Sequence, residues 1–179
     1  MDAVDPDRLV FLDESGLDTR LTRAYARAPG GQRAVGRVPG GNWRRLTILG
    51  ALARTGLVAA MTVAAATSTA VFLAFIDSVL IPALRARPGA VVVMDNLAPH
   101  KAASVRAALH QAGLEHRYLP AYSPDLNPIE PCWSKIKGAL RSAAPRSLDA
   151  LNNALPAALD AITPDDAQAW FQHCGYRSA

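Results

Sequence analysis

Val91-Val92-Val93-Met94 is an unbroken apolar run held between Gly89 and Asp95-Asn96. No polar residue alternates within it, so it reads as a strand buried on both faces, which requires cover above and below. Upstream, Val71, Phe72, Phe75, Val79 and Leu80 recur at helical spacing over residues 69–87, and Arg85, Arg87 and Gly89 close that helix. A helix feeding such a strand is a crossover, and crossovers join parallel neighbours. The earlier neighbour is Val10-Phe11-Leu12, ending at the turn cluster Asp13-Glu14-Ser15-Gly16. If the two strands share a sheet, Asp13 and Asp95 meet at its carboxyl edge, where open α/β sheets usually place ligands.

The other segments fill in an α/β order. Residues 19–28 alternate weakly and are read as a hairpin partner, while PGGQRAVGRVPGG (29–41) reads as a loop. Two strand-like runs, 46–52 and 57–63, are separated by Arg54-Thr55-Gly56 and complete an antiparallel group. A helix over 101–112 is closed by Gly113, a short strand covers 116–119, and the loop PAYSPDLNP leads to a third helix near 130–143. Ser147 caps the first of two tail helices and Thr163-Pro164 starts the second.

Composition limits the class of protein. With half of its 179 residues hydrophobic and 19% charged, the chain is neither disordered nor a polyelectrolyte. Nineteen basic residues against 15 acidic ones give a net charge of +4, which permits phosphate binding without requiring it. Cys132 and Cys174 have neither disulfide-framework nor zinc-site spacing. The start, MDAVDPDRL, lacks the apolar core of a signal peptide, and Arg54 and Asp77 interrupt the most apolar stretches, so no membrane span is expected.

Three strings place a carboxylate at an element boundary: LDESG (12–16), VVVMDNLAPH (91–100) and YLPAYSPDLNPIEPCWSKIK (118–137). Breaking a phosphodiester requires an activated oxygen nucleophile and neutralised charge on the attacking and leaving oxygens. Two magnesium ions roughly 3.5–4 Å apart do both, held by few protein carboxylates with water and phosphate completing the shell. Thirty-four residues separate Asp95 from Glu130 (130 − 95 − 1). With LPAYSPDLNPIEPCWSKIK around the glutamate and MDNLAPH around the second aspartate, residues 8–143 resemble the DDE transposases of the mariner superfamily, most closely the bacterial insertion-sequence 630 group. HCGY near the end is also similar to the termini of that family.

The resemblance implies an RNase H-like fold: a mixed five-stranded sheet with flanking helices over 8–143, followed by a C-terminal helical extension over 147–179 packed on it. It implies that Asp13, Asp95 and Glu130 are catalytic and hold two Mg (or Mn) ions. It further implies hydrolysis at the ends of a transposon in double-stranded DNA and attack of the freed 3′-hydroxyl on target DNA, usually at TA. A homodimer on DNA in the cytoplasm, at the nucleoid, is the expected setting. The family's N-terminal helix-turn-helix modules do not fit ahead of residue 8, so an upstream-frame DNA-binding segment is an expected partner, and a non-catalytic DNA-binding or dimerisation subunit is the alternative. Another RNase H-like nuclease, acting on RNA or on Holliday junctions, is a second.

Each residue also has a plainer reading. Asp13 alone is a turn residue bonding its own backbone, and Asp95-Asn96 a turn or cap. Asn127-Pro128-Ile129-Glu130 fits a capping box with Pro at the first helical position. Prolines 120, 124 and 128 read as stiffening the loop ahead of Glu130. Ile129, Trp133, Ile136 and Leu140 form a buried stripe, and Glu130, Ser134, Lys137 and Arg141 share another face. That face either meets DNA, with Lys137 and Arg141 on phosphates, or is ordinarily solvated. Arg44 and Arg45, beside Trp43, are assigned to DNA in the same way. Glu14, Asn96 and His100 stand behind the three carboxylates as supporting groups. His100 reads either as a contact to a metal-bound phosphate or as a structural hydrogen-bonding residue.

Overall fold

A computed structural model describes residues 4–23, 25–41 and 43–177. The extreme N-terminal residues and Ala24, within the expected hairpin partner, lie outside the described residues. Among the described residues five strands form one mixed sheet: β1 (Leu9–Asp18), β2 (Arg45–Ala53), β3 (Gly56–Val63), β4 (Val91–Met94) and β5 (Glu115–Tyr118), in the order β3-β2-β1-β4-β5. β4 pairs parallel with β1 and β5, and β2 pairs antiparallel with β1 and β3. Helices α1 (Thr69–Phe75), α2 (Ile81–Leu84), α3 (Ala103–Gln111), α4 (Ile129–Ala143), α5 (Leu148–Asp160) and α6 (Pro164–His173) cover the sheet. A π-helical turn over Ile76–Leu80 joins α1 to α2. The fold is RNase H-like, as the motifs implied.

Strand alternation assigns the two faces. Leu9, Phe11, Val91 and Val93 join α4, α5 and α6 in one buried cluster, whereas Val10, Leu12, Val92 and Met94 join α1 and α3 in the other. Each fully buried Leu, Val or Phe removed from water contributes about 1.5–3 kcal/mol, so β4 and the buried Leu9–Leu12 half of β1 are held from both sides. The tail helices belong to the first cluster through Leu151, Ala167 and Phe171. Ser147 accepts the Ala150 N–H at 3.1 Å. Thr163 and Asp166 form a reciprocal capping box on α6, and the same Asp166 carboxylate pairs with Lys135 of α4.

The structure corrects three local expectations. β1 does not end at Asp13 but runs to Asp18, because the pairing from Phe11↔Leu52 to Asp18↔Arg45 holds weak strand formers in the ladder. Residues 19–28 contain no strand among the described residues, so the weak alternation there carried no pairing signal. At α4 the N-cap is Pro128, with no side-chain cap bond. The capping-box reading of Glu130 therefore fails, and its carboxylate is left exposed for other work.

Candidate active site

Parallel pairing between β1 and β4 stops at Leu12↔Met94. Asp13, the next residue of β1, and Asp95, the first residue beyond β4, follow that last pair, so the sheet brings two carboxylates to one edge. Glu130 arrives from the first turn of α4. All three line one cavity of about 460 Å³, together with Asn96, Lys101 and the loop from Leu119 to Asn127.

The three carboxylates have unlike surroundings. Asp13 is only 7% exposed and accepts the indole N–H of Trp133 at 3.3 Å. Burial pushes its carboxyl up to about 7, against the pull of the Glu14 backbone N–H, and the negative charges of Glu130, Glu14 and Asp95 push the same way. Burial also works against ionising Asp95, but contacts from His100 and the Leu97 N–H outweigh it and hold that carboxyl below its usual range.

His100 is fully buried and sits between two acids. Its Nε2 lies 2.9 Å from Glu14 Oε2, and its Nδ1 meets Asp95 Oδ1 at 2.5 Å as an ion-pair contact without straight hydrogen-bond geometry. The ring stacks on Phe72 with centroids 4.1 Å apart. Burial disfavours its cation, yet the two carboxylates raise it to about 9, so both ring nitrogens carry protons at neutral pH. A buried ring engaged on both nitrogens is not free to meet a phosphate, which corrects the first of the two readings of His100. It ties Glu14, on the far side of β1, to Asp95. Asn96 acts on the neighbouring loop, where its Nδ2 donates to the Leu119 carbonyl at 2.5 Å and fixes the start of the segment that runs to Glu130.

A divalent cation suits this donor set. Three carboxylates converge on one cavity, and Asp13 is held near neutral pH partly by its acidic neighbours, a repulsion that a cation would relieve. Among the described residues no three His, Cys, Asp or Glu side chains are drawn together closely enough to hold a metal ion as a ready-made cage. Magnesium does not require one, since it keeps waters and phosphate oxygens in its shell.

The sequence profile described as DDE superfamily endonuclease matches residues 8–152. The chain belongs to that family. Its fold is that of the Mos1 mariner transposase. A Mos1 paired-end complex with left transposon end matches with a TM-score of 0.75 at 21% identity, covering 94% of this chain and 52% of that one. A pre-cleavage Mos1 transpososome matches at 0.78 and 17%, covering 94% and 53%. The Mos1 catalytic domain solved with raltegravir and Mg matches at 0.70 and 16%, covering 94% and 79%. This DDE-family chain thus spans about half the length of the transposase chains in the two DNA-named assemblies. No match is found among curated proteins.

The expected DNA contacts lie outside the carboxylate cavity. Arg44 is exposed, and Arg45 lines a separate groove of about 480 Å³ that it shares with Glu14, its guanidinium 5.5 Å from the Trp43 ring. Arg20 stacks on the same ring at 4.1 Å. Lys137 and Arg141 are half-buried on α4, the helix that carries Glu130.

Sequence reasoning missed two supports of Asp13. Gly50 is its registered partner on β2, and a Cβ there would meet Trp133 Cη2 at 2.6 Å. The missing side chain lets the indole lie across the strand and reach Asp13. Trp133 was legible only as part of a buried stripe, and nothing local distinguished its N–H as the donor. A glycine inside an otherwise apolar strand run was the one available signal of close approach.

Proposed function

We propose that this DDE-family chain is the catalytic core of a transposase of the insertion-sequence 630 group. It would cut DNA at transposon ends and join the freed 3′-hydroxyl to target DNA at TA. The observation that carries this reading is the convergence of Asp13, Asp95 and Glu130, from three separate elements, on one cavity. Asp13 and Asp95 would hold one of two Mg or Mn ions and share in the other, and Glu130 would complete the second. Bound metal supplies a nucleophilic oxygen at neutral pH and neutralises charge on the phosphorus oxygens.

The protein's own groups do the positioning. His100 and the Leu97 N–H both engage Oδ1 of Asp95, whose carboxylate lines the cavity. Lys101, which also lines the cavity, would offer a cation to an incoming phosphate. Water, and later the 3′-hydroxyl, is the nucleophile, and no covalent protein intermediate is formed. Arg44, Arg45, Lys137 and Arg141 would grip the phosphate backbone, a contact that weakens with salt. End recognition and dimerisation would draw on an upstream-frame segment. The setting would be the cytoplasm, at the nucleoid.

Nicking of supercoiled plasmid tests the reading. The chain is expected to nick with Mg or Mn and not with EDTA. Glu130→Gln is expected to lose at least about a hundredfold of that rate while shifting DNA in a gel as the wild type does. Wild-type nicking in EDTA, or undiminished nicking by Glu130→Gln, would contradict it. DNA binding with no metal-stimulated cleavage by the wild type would favour a non-catalytic subunit.

A further inference from the structure

The HCGY string near the C-terminus and the proline-rich loop before Glu130 meet in the fold. Cys174 and Gly175, the latter at φ 89°, turn the chain out of α6, and the Tyr176 N–H donates to the Phe171 carbonyl at 2.9 Å. The Tyr176 ring then packs 4.9 Å from Phe11 of β1 and 6.0 Å from Phe171. Its hydroxyl donates to the carbonyl of Leu126 at 2.8 Å, across 50 residues of sequence. Burial pushes that hydroxyl up to about 12, so it stays a donor at any physiological pH.

The loop it holds would not keep this shape unaided. Tyr122 sits in the left-handed region at φ 59° with its side chain fully in solvent, so nothing around it offsets a conformation that favours glycine. Asn127 is buried beside the carboxylates, and its Oδ1 has no hydrogen-bond partner among the described residues. Unfavourable features of this kind persist only where surrounding contacts over-determine the backbone. Two side-chain contacts stake the loop. Asn96 grips the Leu119 carbonyl at its start, and Tyr176 grips the Leu126 carbonyl at its end. The next residue, Asn127, accepts the Glu130 N–H at 3.1 Å, so the first turn of α4 is laid directly on the pinned segment.

We propose that Tyr176 is a positioning residue for Glu130, its hydroxyl fixing the loop that sets where the third carboxylate stands. The C-terminal extension is then part of the catalytic apparatus as well as cover for the sheet. This rests on the metal-binding role assigned to Glu130.

Three variants of the full chain separate the possibilities: Tyr176→Phe, Tyr176→Leu and Glu130→Gln. Each is assayed for Mn²⁺ affinity by calorimetry, Mg²⁺ half-saturation of plasmid nicking, and thermal unfolding. Supporting groups behind metal ligands cost about 10–100-fold in affinity or activity when removed. Tyr176→Phe keeps the packed ring and is expected to unfold close to wild type, with Mn²⁺ affinity and Mg²⁺ half-saturation about tenfold weaker. Tyr176→Leu is expected to lose thermal stability as well. Wild-type metal affinity in Tyr176→Phe would overturn the proposal, as would weakening that merely follows a loss of folded protein. If Glu130→Gln is impaired and Tyr176→Phe is not, only the role of Tyr176 fails. If Glu130→Gln itself binds Mn²⁺ and nicks like wild type, the assignment of Glu130 fails and this role with it.

Discussion

Asp13→Asn is expected to stop DNA nicking and, without metal at pH 8, to unfold at a higher temperature than wild type. The two effects share one cause. Burial and acidic neighbours raise the Asp13 carboxyl from 3.8 to about 7. A carboxyl whose folded value lies above its unfolded value supports folding while protonated, and that support is lost as pH rises from about 4 through about 7. Above pH 7 the folded protein carries a buried anion beside other anions. At 1.36 kcal/mol per unit the cost is on the order of 4 kcal/mol, and a neutral carboxamide of the same shape removes it. For a chain of this size the gain corresponds to several degrees in melting temperature. The difference should shrink toward pH 4, where wild-type Asp13 is protonated. Activity should fall about a thousandfold or more, because a bound metal supplies several kcal/mol of charge stabilisation in phosphoryl chemistry. Calorimetry across pH and plasmid nicking check both halves. An inactive variant no more stable than wild type at pH 8 would contradict the electrostatic account of the site.

His100→Ala is expected to have the opposite signature, losing stability and activity together. The ring separates and neutralises two acids, at 2.9 Å from Glu14 and 2.5 Å from Asp95, and stacks on Phe72. Removing one partner of a fully buried ion pair costs about 3–5 kcal/mol; with the Glu14 and Asp95 side chains 16% and 34% exposed, water compensates part of the charge left behind and the loss is smaller. The cavity left against Phe72 adds to that. Asp95 then turns freely, and a 10–100-fold loss in metal affinity or activity follows. The pH dependence has a definite sign. The His100 value rises from 6.5 to about 9 on folding, so its contribution is complete below 6.5 and is lost as pH rises through about 9. The stability gap between wild type and His100→Ala should therefore be widest below pH 6.5 and narrow toward pH 10. A gap independent of pH would mean that His100 acts by packing alone.

The parts of this site that were legible in the sequence are those set by local pattern. The unbroken run Val91–Met94 identified a strand with two covered faces, and the crossover before it placed Asp95 beside Asp13. The string around Glu130 placed a helix near 130–143, and α4 runs from Ile129 to Ala143. The parts that were not legible are contacts closed by the fold. Asp13 was read as the end of a strand, because Glu14, Ser15 and Gly16 are poor strand formers and their pairing with β2 has no local signature. The Trp133–Asp13 bond spans 120 residues and the His100–Glu14 contact spans 86. No periodicity encodes either. His100 follows Asp95 by five residues in the second-aspartate string, which marked it for a role, but only burial on both ring nitrogens decides that it holds acids and does not meet phosphate.

Asp13, Asp95 and Glu130 stand or fall together as metal ligands, and locating bound Mn²⁺ by anomalous scattering in crystals of this chain tests that most directly. The expected result is Mn²⁺ in the 460 Å³ cavity with oxygens from all three carboxylates in its coordination shells. Two ions roughly 3.5–4 Å apart are expected once a DNA phosphate is present. Mn²⁺ bound elsewhere on the protein, with these carboxylates left uncoordinated at saturating metal, would contradict it.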